Sequence, residues 1–244
     1  MEEKQKPGYD RETLLKEFDN LMNIARSVRV SYLDEEGIEQ LAQEARVKYN
    51  KIIPILPYVG GEKSRFTDLM IQSGMTVAFY KACKDRNLSD RQIGELIYKI
   101  VEEEMRSVSR IKKWFARRML FTSSYRNAWR QALEDSQTRE YPKNWVGEFV
   151  EGNGIEFEFG FDFLECGFMK LARDNDCEKI VPYACLCDFA RMRGLGVGFR
   201  RTQTLAMGHP RCDFRFLKDY KTQRGWPPES LDEVRNSQLE DVQI

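Results

Sequence analysis

The sequence predicts an α+β fold: an all-helical N-terminal half packed on a mostly antiparallel sheet whose strands come in ββ-α-ββ order. Three observations carry this. Apolar residues recur at helical spacing as far as Pro142 and alternate with polar ones beyond it. Two strand-turn-strand patterns follow, at 144–164 and 196–218, with a helical stretch between them. The strands follow an all-helical preface in ββ-α-ββ order, which argues α+β architecture. The organisation read from this is a helical region over 1–143, an α+β region over 144–218 and a polar C-terminal tail over 219–244.

In the first half, Leu14, Phe18, Leu21, Met22, Ala25 and Val28 share one helical face between Tyr9 and Val30. Asp34 caps a second helix carrying Ile38, Leu41, Ala42 and Ala45, which Pro54 and Pro57 end. A third helix spans about Ser64 to Asp85. Ser89 and Gln92 form a capping box that opens a long helix running toward Leu120, and a shorter helix follows over Ser124–Asp135. In the second half, Phe157, Phe159, Phe161 and Phe163 alternate with Glu158, Gly160 and Asp162, giving a strand with one buried and one polar face. It pairs with 144–151 across the turn Gly152-Asn153-Gly154. Residues 165–193 read as helix, interrupted near Asp174–Asp176 and at Pro182. The last hairpin, 196–207 with 211–218, takes Gly208-His209-Pro210-Arg211 as its loop. Met207 then faces Cys212 on an apolar face, while Thr202, Thr204, Asp213 and Arg215 line a polar one.

Composition excludes several function classes. The chain has 244 residues, with 39 Lys and Arg against 39 Asp and Glu, so a nucleic-acid binder relying on bulk charge is not expected. The single histidine, His209, leaves no His-based metal cluster. The N-terminal run MEEKQKPGYDRE lacks the apolar core of a signal peptide, and no stretch has the length and apolarity of a spanning helix. The expectation is a cytoplasmic protein with no membrane or nucleic-acid partner; self-association into a homo-oligomer is left open. Its six cysteines are then thiols. Cys185-x-Cys187 with Cys166 and Cys212 lacks the paired spacing of a structural zinc site, so neither metal nor cofactor is expected. The glycines of 194–198 precede a strand, and Gly60-Gly61-Glu62-Lys63-Ser64 lacks the first glycine of a phosphate loop, so neither is a nucleotide site. Residues 106–130 hold eight basic residues and no acid, interleaved with Trp114, Phe115, Phe121, Tyr125 and Trp129. That is the composition of a nucleic-acid surface, and equally of a solvated helix over a core face or of a site for an anionic small molecule.

The motifs Glu165-Cys166-Gly167, Cys187-Asp188, Arg201-Thr202-x-Thr204-Leu205-Ala206-x-Gly208 and Cys212-Asp213-Phe214-Arg215-Phe216 carry a resemblance over roughly residues 140–218. In them the chain resembles the L-2-amino-thiazoline-4-carboxylic acid hydrolase family. The resemblance implies hydrolytic opening of a small ring containing sulfur and nitrogen, giving an N-carbamoyl-cysteine. Such chemistry needs attack at the amidine carbon, a proton for the leaving atom and a carboxylate clamp. Arg201 or Arg215 is a candidate clamp, with Thr202, Thr204 and His209 as further substrate contacts. Asp188, Asp213 or Glu165 is a candidate base. Cys187, then Cys166, then Cys212 are candidate nucleophiles, each requiring a neighbouring cation to lower its pKa. The alternative is a non-enzymatic module that holds a small anion on the same polar face.

Overall fold

Asp10, Asp34, Ser64 and Ser89 each accept a backbone N–H with the side chain and so start the first four helices. These are α1 (Arg11–Ala25), α2 (Glu35–Ile52), α3 (Arg65–Asp85) and α4 (Asp90–Ser107). The computed structural model describes residues 9–237. The N-terminal run over 1–8 and the last part of the expected tail, 238–244, lie outside the described residues. The capping box at Ser89 and Gln92 forms as the sequence indicated. α3 is the most deeply buried helix, with Met70, Val77, Ala78, Ala82 and Cys83 sealed between its neighbours.

The long helix expected from Ser89 toward Leu120 is two helices. Val108 is extended, and Ser109 accepts from Lys112 N–H to start α5 (Arg110–Leu120). Thr122 starts α6 (Ser123–Ser136) in the same way. Hydrophobic period alone carries across such a break, because each piece is itself periodic; the serine cap marks it.

The sheet is β1 (Val146–Glu151), β2 (Phe159–Glu165), β3 (Gly198–Arg200) and β4 (Cys212–Leu217), antiparallel throughout in the order β1-β2-β4-β3. Between β2 and β3 lie α7 (Gly167–Arg173), α8 (Val181–Cys185) and α9 (Cys187–Leu195), interrupted at Asp174–Asp176 and with Pro182 in the first turn of α8. α10 (Asp232–Arg235) follows β4. The α+β class and ββ-α-ββ order are those the sequence predicted.

The register of the last hairpin differs from the expected one. β3 is three residues long and pairs Gly198 with Leu217, Phe199 with Phe216 and Arg200 with Arg215. Residues 201–211 form a long loop containing a single turn of 3-10 helix at Leu205–Met207. The Asp213 carboxylate holds it, accepting from the N–H groups of Thr202 (2.8 Å) and Gln203 (2.6 Å) and from the Thr202 hydroxyl (2.6 Å). A carboxylate that takes three local donors offers more than the ladder bonds a longer strand would make there. β2 likewise starts at Phe159, after a loop in which the Asn153 side chain accepts from Ile155 and Glu156 N–H.

The helices cover the aromatic face of the sheet. Phe159, Phe161 and Phe216 stack or meet edge-on within 4.7–5.6 Å, and Trp129 of α6 closes on Phe161 at 4.8 Å. The polar face points away from the helices. There Asp162 pairs with Arg215 (2.7 Å) and Arg211 (3.0 Å). Residues 219–237, read from sequence as part of a polar tail, are anchored: Leu231 and Glu233 are fully buried, and the Thr222 hydroxyl bonds Val197 and Phe199.

Candidate functional site

A cavity of about 310 Å³ opens between the helical half and the aromatic face of the sheet. Most of its wall is apolar, drawn from α1 (Met22), α3 (Leu69, Phe79), α4 (Ile97, Ile100) and α6 (Trp129). Its chemistry comes from α9 and its surroundings. Cys187, Asp188 and Arg191 line it from α9, Cys185 from the end of α8, Cys166 from the start of α7, and Arg201 and Cys212 from the sheet side. Residues one and four apart on α9 put Asp188 and Arg191 on neighbouring flanks of Cys187.

Arg201 is fully enclosed and its hydrogen bonds are spoken for. It donates to both oxygens of Glu233 (2.6 and 2.8 Å), to Asp188 (2.7 Å) and to the Cys185 carbonyl (2.9 Å). Burial penalises its charge, and the carboxylates of Glu233 and Asp188 more than offset this, holding the guanidinium well above its usual value. Phe189, Phe199 and Phe214 surround the cation at 5.0–5.8 Å. The fork expected to grip a substrate carboxylate is therefore occupied by Glu233. Asp188, the other carboxylate bonded to this guanidinium, reaches the cavity wall.

The sequence-predicted residues divide into two groups. Cys166, Cys187, Asp188, Arg201 and Cys212 meet at the cavity. Glu165, Thr202, Thr204, His209, Asp213 and Arg215 do not line it. Glu165 is held by Lys170 (2.6 Å) and Arg139 (3.0 Å), and those bonds, Lys170 first, hold its carboxyl below the usual range. Asp213 is spent on the 201–211 loop, and Arg215 lies on the outer face with Asp162. The His209 ring bonds the Glu233 carbonyl at 3.2 Å. Thr204 is buried beside Cys212. The polar floor of Thr202, Thr204, Asp213 and Arg215 is thus not under a pocket: the helices' apolar faces require the apolar face of the sheet, which sends the polar one outward.

Burial acts on every cavity thiol. It pushes Cys166 and Cys187 up to about 12, and Cys185 well above its usual value. Arg191 opposes the shift at Cys187 without cancelling it. Cys212 is also raised, although Arg201, the Thr204 hydroxyl (3.4 Å) and the Leu205 N–H (3.2 Å) favour its thiolate. The cavity thus presents protonated thiols beside the Asp188-Arg201-Glu233 cluster. Among the described residues, no group of three or more His, Cys, Asp or Glu side chains is arranged to hold a metal ion.

Arg191 and Cys185 escaped the sequence reading as site residues, as did Gln72, Ser73 and Thr76 of α3. Arg191, whose one side-chain hydrogen bond among the described residues is to Gln72 (2.6 Å), was signalled by its spacing of four from Cys187. Cys185 was weighed only as a metal ligand. The apolar walls from α1, α3 and α4 carry no signal that distinguishes a cavity lining from core.

No helix among the described residues is long and apolar enough to cross a membrane. No curated protein matches the chain, and no solved structure does. A family model does match, over residues 69–216, from within α3 to the last but one residue of β4, and takes in every cavity residue from the sheet side and α9. With more than half of its length matched, the chain belongs to the L-2-amino-thiazoline-4-carboxylic acid hydrolase family.

Proposed function

We propose that the protein is a hydrolase that opens a small cyclic amidine bearing a carboxylate, of the amino-thiazoline-carboxylate type, inside this cavity. The observation that carries the reading is the presentation of Asp188, Arg191 and Cys187 by a single helix, α9, to one cavity in a chain of this family.

Arg191 is the carboxylate clamp. It lines the cavity and has no carboxylate partner among the described residues, so its fork is open to a ligand. Asp188 is the general base. The bond from Arg201, itself gripped by Glu233, fixes the orientation of the Asp188 carboxylate. Asp188 takes a proton from water as the water oxygen bonds to the amidine carbon, and the electron pair of the carbon–nitrogen double bond moves to the ring nitrogen. The carbon–sulfur bond then breaks as the carbonyl forms; the remaining hydroxyl proton passes to the ring nitrogen, and the proton held by Asp188 passes to the leaving sulfur. One water is consumed, and the product carries a free thiol and a carbamoyl group. Activated water is favoured over a thiol nucleophile because burial keeps the cavity cysteines protonated. The apolar walls exclude bulk water and strengthen the electrostatics at the reacting carbon.

The test is incubation with carboxylated thiazolines and related cyclic amidines, read by mass spectrometry. Gain of one water, lost in Asp188→Asn, is the expected result. Saturable binding with no mass gain for any such compound would leave a small-anion-binding module in its place.

A further inference from the structure

α5 is turned inside out. Lys113, Ala116 and Leu120 share the side packed on the protein, and Leu120 is the one buried residue of the helix. The opposite side carries Ile111, Trp114, Phe115 and Met119, which are 71%, 54%, 61% and 63% exposed. These positions follow the i, i+3, i+4, i+8 spacing that ordinarily marks the buried stripe of a helix. Single exposed apolar residues need no explanation, but four large ones on the outward face of one helix do.

The shoulders of that face are cationic. Arg110, Lys112 and Arg117 flank it, and Arg118 lies within it, stacked over Trp114 at 5.0 Å. From Met105 to Leu133 there is no acidic residue, in a chain whose charges otherwise cancel. Arg110, Lys112, Lys113, Arg117 and Arg118 have no carboxylate partner among the described residues. Ile155, 90% exposed, stands on the β1–β2 loop, which meets the end of α5 through Lys218: Lys218 pairs with Glu158 (2.9 Å), and Arg117 donates to the Lys218 carbonyl (3.0 Å).

We propose that α5 docks the protein on an anionic lipid surface, with Ile111, Trp114, Phe115 and Met119 entering the headgroup layer and the flanking Arg and Lys side chains engaging acidic headgroups. An apolar stripe centred between basic shoulders is the arrangement of helices that lie in the bilayer interface. Charge selects among occupants. A second copy of the chain would oppose one unpaired basic cluster to another. Nucleic acid would satisfy the bases but leaves Ile111 and Met119 without a role. An acidic protein groove closes around a helix, whereas α5 is tied down by Leu120 and by short connections to α4 and α6, so only one side is free. A flat, negatively charged, deformable surface fits that one-sided presentation. The expectation of no membrane partner rested on the lack of a spanning segment, which does not bear on a helix lying on the surface. Docking is independent of the cavity chemistry and fails or stands separately from it.

The experiment is sedimentation of the full chain with vesicles of phosphatidylcholine alone or mixed with phosphatidylserine, alongside tryptophan fluorescence. Association with the mixed vesicles only, with a blue shift lost in Trp114→Phe, is expected. The pair Trp114→Ser/Phe115→Ser and the pair Lys112→Glu/Arg118→Glu each lower partitioning about tenfold or more, the first by removing inserted apolar area and the second by reversing the attraction to acidic headgroups. These positions are exposed, so the variants keep wild-type thermal unfolding, and that is measured in parallel. Absence of wild-type binding overturns the proposal, as does binding that both variant pairs retain or that phosphatidylcholine alone supports equally. A dimer in solution that the Trp114→Ser/Phe115→Ser pair converts to monomer also overturns it, as does tighter binding to single-stranded RNA or an acidic protein than to anionic vesicles.

Discussion

Arg201 and Glu233, 32 positions apart, form a two-pronged ion pair with both side chains sealed from solvent. It ties the segment after β4 to the loop after β3 and orients Asp188 on α9 at the same time. Burial pushes the Glu233 carboxyl up while Arg201 pulls it down, so neither group sits comfortably without the other.

Truncating one partner therefore strands the other's charge. Glu233→Ala is expected to destabilise the protein by about 3–5 kcal/mol, and Arg201→Ala comparably. Urea or guanidinium unfolding of both variants measures this. Wild-type stability in either would show that the pair relaxes to water in the folded state.

Asp188→Asn keeps the shape and the bond from Arg201 but removes the base. Turnover of a carboxylated thiazoline should fall by about a hundredfold or more, within the range for loss of a general base, with stability little changed. Arg191→Ala should raise KM chiefly, having removed a contact made equally in ground and transition states. Steady-state kinetics separate the two.

The cavity thiols should resist alkylation. With a pKa of about 12, Cys187 and Cys166 are thiolate to only on the order of one part in ten thousand near pH 8. Iodoacetamide should label them in urea-unfolded protein far faster than in the native state, and Cys187→Ser should retain turnover. Rapid native labelling of Cys187 with loss of activity would restore the thiol as nucleophile.

The same shifts make stability fall in alkali. A folded-state pKa raised from 9.0 to about 12 means the native state keeps a proton that the unfolded state loses. The contribution is complete below pH 9 and declines as pH rises toward 12, by about 1.4 kcal/mol per pH unit for each thiol. The buried Tyr9 and Tyr49, also raised by burial, act in the same sense above their ordinary range. Thermal melts across this window should show a steady drop that Cys187→Ala reduces.

Gly94 lets α4 approach α8. A Cβ there would lie 2.5 Å from the Tyr183 ring, so Gly94→Ala is expected to cost about 1–3 kcal/mol by overpacking. That outweighs the roughly 1 kcal/mol that alanine returns in helix propensity. Denaturant unfolding decides the sign.

The sequence by itself determined the fold class, the helix starts at Asp34, Ser64 and Ser89, the aromatic face of β2 and the motifs that carry the family. Those are local properties: hydrophobic period, side-chain capping and residue order act over a few neighbours. Of the residues it singled out, Cys187 and Asp188 line the cavity. Which sheet face the helices cover was settled by the packing of distant segments, and it places Arg215 and Asp213 away from the cavity. It also decided that Arg201 is spent on Glu233, since nothing local marks a carboxylate 32 residues away as its partner. The register of the last hairpin was likewise a contest between ladder bonds and the Asp213 carboxylate, settled by three donors converging on it. And α5, periodic enough to be read as an ordinary packed helix, has its apolar stripe outward, because periodicity reports that a helix has a face but not what the face meets.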